Sequence, residues 1–208
     1  MEIKKLSKSD IKRKKDTRLL YDSCFTSDCK ELVDYYYDVL IQRNEIFVIE
    51  DNDEIISMIH LNPYLYNICG EIMQVHYLFA IATRSEYRHK GYMMQLLNAT
   101  TQYLKSLNEP FCYLMPEEPL CEKIYNKFGF NRLCNFTYDK FSKDEFDIFP
   151  VRNDEFNNLM LKEQFFLIND SIEYSEHLKR QIVLVKLLND KYDFEYLKEK
   201  KVCFCNEM

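Results

Sequence analysis

Tyr77-Leu-Phe-Ala-Ile-Ala-Thr-Arg-Ser-Glu-Tyr-Arg-His-Lys-Gly-Tyr-Met-Met94 is the stretch on which the fold turns. It begins inside a nearly unbroken apolar run from Val75 to Thr83, the pattern of a central strand covered on both faces. A loop follows in which Arg84, Arg88, His89 and Lys90 stand against a single acid, Glu86. After Gly91 the period changes: Met93, Leu96, Leu97, Tyr103, Leu104 and Leu107 mark one face of a helix of about five turns. Amides at a helix start lack intrahelical acceptors, the helix dipole favours negative charge there, and a glycine lets an anion approach the backbone. The segment therefore predicts an anion site. The same residues also fit a plain basic surface loop with a glycine at a helix start.

Upstream, Glu2 to Leu6 reads as a short edge strand, and Ser9 or Asp10 as the N-cap of a first helix. Lys30 to Gln42 carries Leu32, Val33, Tyr36, Val39 and Leu40 at helical spacing. Ile46 to Glu50 and Ile55 to Leu61 are β-branched runs joined by the polar Asp51-Asn-Asp-Glu54, a hairpin signal. Pro63 and Gly70 bracket an expected loop. Downstream, Phe111 to Met115 is a buried strand stopped by Pro116. Pro119 opens a helix with Leu120, Ile124 and Phe128 facing inward, Gly129 is its left-handed terminator, and Phe130 to Tyr138 returns as a strand. This order predicts a mixed α/β domain over residues 1–142. Residues 143–208 read as a C-terminal extension, an incomplete second module. In it Asp154 to Ile168 is a helix or, from Glu163, a strand; Asp170 or Ser171 caps a helix toward Gln181; and Ile182 to Leu188 is short and β-branched. Asn189-Asp190-Lys191 is a turn into Phe194 to Leu197, and Val202 to Cys205 is a last strand.

Composition narrows the function classes. At 208 residues, with 47% apolar, 15% aromatic and 30% charged side chains, the chain can bury a core and is far from the disordered range. No apolar run reaches membrane-spanning length, and Met1-Glu-Ile-Lys-Lys-Leu6 has no secretory h-region, so a cytoplasmic protein without a membrane partner is expected. Eight cysteines in that setting read as reduced thiols, and neither they nor the four histidines show a metal-ligand spacing, so no metal is expected. The net charge of −6 argues against a nucleic-acid partner and suits a cationic acceptor. The basic run Lys4 to Arg18 is read as a solvated helix face rather than a docking patch.

One more element carries chemistry. Tyr125, in Ile124-Tyr-Asn-Lys-Phe-Gly-Phe130, is placed on the helix after the next strand. A phenol with a pKa near 10 can return a proton to a leaving group held at hydrogen-bond distance, although most tyrosines at such a position only pack. Together the two segments resemble the GNAT superfamily of N-acetyltransferases. That family's cofactor motif, Arg or Gln, two residues, Gly, one residue, then Gly or Ala, stands here as Arg88-His-Lys-Gly91-Tyr-Met93, with Met93 in place of the small last residue. Its later motif, an aromatic pair before Gly-Phe, stands as Tyr125-Asn-Lys-Phe-Gly129-Phe130. The loop wording Tyr87-Arg-x-Lys-Gly-Tyr-Met93 resembles members of the enhanced-intracellular-survival type. Those are longer, so a shortened member, or a chain that ends early, is expected.

The resemblance implies an acyl-CoA N-acyltransferase fold, acetyl-CoA as co-substrate, and transfer to a primary amine, on a small molecule or a lysine. Backbone groups of Ile81 and Thr83 would pair with the pantetheine arm. Amides of His89, Lys90, Gly91, Tyr92 and Met93, with the Arg88 side chain, would hold the pyrophosphate. Tyr125 would act as general acid on the thiolate, and Asn126 would touch the cofactor. An alkylammonium must lose a proton before it attacks, so a base or water chain is needed. Tyr77 stands where some relatives place a catalytic Glu, with His76 beside it and Glu71 upstream, yet a His or Tyr on a strand face is more often core. Direct attack in a ternary complex is preferred over a cysteine-borne acyl group, because Cys112 and Cys121 have no basic neighbour in sequence to activate them. The alternative is a non-catalytic acyl-CoA-binding or regulatory module. The acceptor amine and the oligomeric state are not read from the sequence.

Overall fold

The computed structural model describes residues 1–116, 121–135, 141–142, 146–151, 166–168, 171–173, 182–202 and 204. It divides into two compact units, Met1–Pro63 with His76–Asn108, and Tyr64–Val75 with Glu109–Met208.

The first unit holds β1 (Glu2–Leu6), α1 (Ile11–Asp16), α2 (Arg18–Cys24), α3 (Lys30–Asp38), β2 (Glu45–Asp51), most of β3 (Glu54–Ile68) and β4 (Glu71–Thr83), and α4 (Tyr92–Ser106). Its strands lie in the order β1-β2-β3-β4. β1 and β2 are antiparallel with Leu6 opposite Ile46, and β2 and β3 are antiparallel with Ile46 opposite His60. The expected hairpin forms on a two-residue turn: Asn52 and Asp53 take φ of 48° and 65°, the pair of positive angles whose twist matches the flanking strands. Alternation along β2 sends Phe47 toward α4, where its ring lies 5.6 Å from Tyr103. The opposite face, carrying His60, is covered by α3 through Tyr36. The expected first helix is broken into α1 and α2 at Thr17, and the expected helix to Gln42 ends as α3 at Asp38, with a single tighter turn over Leu40–Gln42.

The basic run is largely paired on its own unit: Arg13 with Asp16 and Glu50, Lys15 with Asp38, and Arg18 with Asp22 and Asp34. Exposed pairs of this kind contribute about 0–1 kcal/mol each. Lys14 departs from the solvated-face expectation. It is fully buried, and its Nζ donates to the carbonyls of Ile41 and Asn44, closing the turn after α3.

A loop was expected between Pro63 and Gly70, but β3 runs through Pro63 to Ile68 and turns at Cys69 and Gly70 into β4. The proline is tolerated for a positional reason. Pairing with β2 ends at Leu61, and pairing with β8 (Ile148–Pro150) involves only Tyr66 to Ile68, so among the described residues neither of these partners asks for the N–H that Pro63 lacks.

The second unit adds β5 (Phe111–Leu114), α5 (Glu122–Asn126), β6 (Asn131–Asn135), β7 (Phe141–Ser142), β8, β9 (Phe166–Ile168), β10 (Ser171–Glu173), β11 (Ile182–Leu187) and α6 (Phe194–Lys198). β11 lies between β5 and β6, antiparallel to both, with Leu184 opposite Leu114 and Val183 opposite Cys134. A strand from beyond residue 142 thus pairs with strands that precede it. The core here is aromatic: Tyr66, Tyr113, Phe111 and Phe204 are buried, and the Tyr66 hydroxyl donates to that of Tyr113 at 3.1 Å. β7, β10 and β9 form a separate small antiparallel sheet.

The helix expected from Ser171 is corrected, because Ser171–Glu173 is strand, paired to β7 and β9; a capping residue type does not resist a pairing partner. Phe194 to Leu197 is helical, capped by Asp193, whose Oδ1 accepts the Tyr196 amide at 2.6 Å. Val202 makes a single parallel bridge to Ile148. The expectations for Pro119 and Leu120, for 136–138, for 154–165, for 174–181 and for Cys203 and Cys205 lie outside the described residues.

Candidate acetyl-CoA site

In the first unit β4 leads into the basic loop as expected, and the loop is held by its surroundings. The Arg84 amide donates to Ile56 O at 2.9 Å, its Nε donates to Ile55 O at 3.0 Å, and its guanidinium pairs with Glu54. The Tyr87 hydroxyl donates to Asp51 at 2.9 Å. The loop is therefore clamped to the turn end of the β2–β3 hairpin. Beyond the clamp the backbone turns sharply: His89 has φ of 61° and Gly91 has φ of 82°, and Gly91 is the N-cap residue of α4. A Cβ on Gly91 would meet only Met94 Cε at 3.7 Å, an ordinary contact, so the glycine is needed for its angle rather than for space. As N-cap, Gly91 brings no side chain to the first turn of α4. Its leading amides, together with exposed Arg88 and Lys90, make a positively biased helix start.

All of the named cofactor residues except Asn126 fall together in this unit. Ile81, Thr83, Gly91, Tyr92 and Met93 are half-buried, while Arg88, His89 and Lys90 are exposed. Arg88 does not reach outward: its Nε donates to Thr83 O at 3.0 Å, and its Nη2 lies 3.8 Å from the Cys24 sulfur. Lys90 lies over the Tyr87 ring at 5.0 Å, and the Tyr92 hydroxyl meets the Met1 sulfur at 2.8 Å. Ala80 interrupts β4 with φ of 48°, a left-handed conformation unusual for a residue with a Cβ. On either side of it Phe79 and Ile81 are both half-buried, whereas Val75 to Leu78 and Ala82 are buried.

His76 and Tyr77 are both buried, and as successive strand residues they point to opposite faces. Tyr77 lies 5.8 Å from Phe79 on the α3 side; on the α4 side burial opposes ionisation of Glu45, but its bonds to Lys5 and to the Tyr103 hydroxyl hold its carboxyl below its usual range.

Tyr125 and Asn126 belong to the second unit. Tyr125 is half-buried on α5, its ring 6.2 Å from Phe130. Burial, and to a lesser degree Cys121, pushes its phenol above the ordinary value, so it holds its proton at neutral pH. Gly129 terminates the turn with φ of 80°; its amide donates to Asn126 O and that of Phe130 to Tyr125 O, the two bonds of a left-handed helix end. The Asn126 amide, oriented by its neighbours, donates to Phe130 O at 2.8 Å and Glu122 O at 3.2 Å, within its own turn.

The sequence profile described as "Acetyltransferase (GNAT) domain" matches residues 2–133. The chain belongs to the GNAT acetyltransferases. No curated protein matches it. Solved structures similar to this GNAT chain include an aminoglycoside 6′-N-acetyltransferase complexed with coenzyme A, 12% identical with a TM-score of 0.59, covering 93% of this chain and 100% of that one. Tetrahymena GCN5 is 13% identical with a TM-score of 0.55, covering 93% and 99%. A conserved protein from Enterococcus faecalis is 17% identical with a TM-score of 0.55; the match covers 64% of this chain and 33% of that one, so the chain spans about a third of that relative. At these identities the likeness shows the fold, and the family match shows a GNAT acetyltransferase.

Two features of this GNAT chain were not legible in its sequence. One is the contact of the α2 end with the β4 end, where Cys24 Sγ lies 4.0 Å from Thr83 O across 59 positions. The other is a buried polar cluster behind the strand: the Tyr36 hydroxyl sits 2.9 Å from His60 Nδ1 and 3.0 Å from Asn62 Oδ1, and Asn44 donates to it at 2.8 Å. Only a polar interruption in an apolar run, His60 and Asn62 in β3, hints at the latter. Among the described residues no helix is long and apolar enough to cross a membrane, and no cluster of metal-ligating side chains is present.

Proposed function

We propose that this GNAT chain moves the acetyl group of acetyl-CoA to a primary amine by direct attack in a ternary complex, in the cytoplasm. The observation that carries the reading is the helix start at Gly91, where two positive backbone angles in three residues open α4 on a residue without a capping side chain, beside exposed Arg88 and Lys90. A diphosphate fits such amides, as anions do at helix starts generally. Arg88 would exchange Thr83 O for a phosphate oxygen, which frees that carbonyl, and the edge of Ile81 and Thr83, for the amides of the pantetheine arm.

In the reaction the amine nitrogen bonds the acetyl carbonyl carbon and the carbon–sulfur bond breaks. The amine gives up one proton, and CoA leaves as a thiolate that takes one. Positioning two reactants and a backbone donor at the developing oxyanion supplies most of the acceleration. Tyr125, kept protonated by burial, is the proposed donor to the thiolate. Cys112 is an unsuitable acyl carrier, since burial pushes its thiol up and holds it inert. The loop wording Tyr87-Arg-His-Lys-Gly-Tyr-Met93 supports a place near the enhanced-intracellular-survival type.

Calorimetric titration with acetyl-CoA, and release of free CoA thiol across an amine panel, test the proposal. Acetyl-CoA binding with thiol release supports transfer. Binding without release from any amine supports the non-catalytic module, and no binding removes both. In Tyr125→Phe, kcat should fall by at least tenfold with acetyl-CoA affinity kept; an unchanged kcat removes Tyr125 as the acid.

A further inference from the structure

Tyr21 on α2 and Phe25 just beyond it lie one helical turn apart, with ring centroids separated by 4.6 Å. Phe79 of β4 joins the same aromatic cluster, 5.8 Å from Tyr21 and 5.0 Å from Tyr36. Tyr21 and Tyr36 are buried, but Phe25 and Phe79 are only half-buried. The cluster adjoins the end of β4 that carries Ile81 and Thr83, because Cys24, next to Phe25, touches the Thr83 carbonyl.

The polar groups behind these rings are turned to protein partners. The Tyr21 hydroxyl donates to Asp28 Oδ2 at 2.6 Å, and that of Tyr36 lies among His60, Asn62 and Asn44. Outward the cluster offers ring carbons, together with the Asp28 carboxylate at its rim. Ring faces attract an ammonium and stack on another flat ring. A polyhydroxylated amino sugar would shed water from its hydroxyls against these ring faces, which themselves offer neither donors nor acceptors in return, and an open polyamine chain would leave the rings little to cover.

We infer that the acceptor is an arylalkylamine, its flat apolar body on Phe25 and Phe79 and its amine directed to the β4 end. The inference deepens the acetyltransferase reading above and rests on it. The test uses the full chain with acetyl-CoA and follows CoA thiol release with tryptamine and phenethylamine against spermidine, glucosamine and a lysine peptide, beside a separate acetyl-CoA titration. The arylalkylamines are expected to exceed the others in kcat/KM by about tenfold or more, the scale of burying one ring. Phe25→Ala, at a half-exposed position after the helix, and the milder Phe79→Leu should each raise the amine KM roughly tenfold with the acetyl-CoA KM unchanged. The inference is overturned if spermidine, glucosamine or the peptide is preferred, if both variants leave the amine KM unaltered, or if acetyl-CoA binds and no arylalkylamine turns over. Failure of acetyl-CoA itself to bind overturns the acetyltransferase reading, and this inference with it.

Discussion

Lowering the pH from 7 to 5 should destabilise the first unit through one ring. His60 is wholly buried; its Nδ1 faces the Tyr36 hydroxyl, and its Nε2 has no hydrogen-bond partner among the described residues. Burial, with a smaller push from the Lys14 charge, drives its pKa from 6.5 to about 3. A group depressed in the folded state takes its proton only on unfolding, so its stabilisation is complete above pH 6.5 and is lost as the pH falls toward 3. At pH 5 the unfolded ring is protonated about thirtyfold in excess while the folded ring stays neutral, which costs about 2 kcal/mol, growing to about 4 near pH 3. Urea denaturation of the wild type and His60→Gln at both pH values isolates the effect. Burial opposes ionisation of Glu45 and Glu50, but Lys5 for the first, and Lys4 and Arg13 for the second, hold both below the usual carboxylate range, and they titrate alike in the two proteins. The wild type should lose about 2 kcal/mol more than the variant between pH 7 and 5. Parallel losses would refute the assignment of a neutral, unsolvated imidazole.

Three further outcomes follow from the geometry. Gly91→Ala forces a Cβ onto φ of 82°, a strain of about 1–2 kcal/mol, and should weaken acetyl-CoA binding on the order of tenfold by calorimetry while lowering the melting temperature by a few degrees. Ala80→Val places a β-branched residue at φ of 48° in β4 and should cost about 2 kcal/mol or more in urea, whereas Ala80→Gly should stay within about 1 kcal/mol of the wild type. Lys14→Met leaves the buried carbonyls of Ile41 and Asn44 without their donor and should lose about 2 kcal/mol; equal stability would show that water replaces the ammonium.

Legibility followed the range of each signal. The hairpin over Asp51–Glu54, the strand into the loop, the helix after Gly91 and the turn at Gly129 are set by neighbours a few residues apart, and they stand where periodicity and turn chemistry put them. Pro63 was misjudged because a proline ends a strand only where a partner needs its N–H, and that depends on where β2 stops and β8 begins. Ser171 was misjudged because a cap preference of about 1 kcal/mol yields to strand pairing. Lys14 looked like one more exposed cation, since nothing in its own helix shows the two carbonyls waiting for it.

By itself, then, the sequence determined the local pieces and the chemistry-bearing loop, because glycine angles, helix starts and alternation are short-range physics. Only the tertiary structure decided that β11 enters between β5 and β6, that Arg88 folds back onto Thr83, and that Tyr21, Phe25 and Phe79 share one cluster. These contacts join residues far apart along the chain, and their free energy comes from burial and pairing that exist only once the chain has closed on itself.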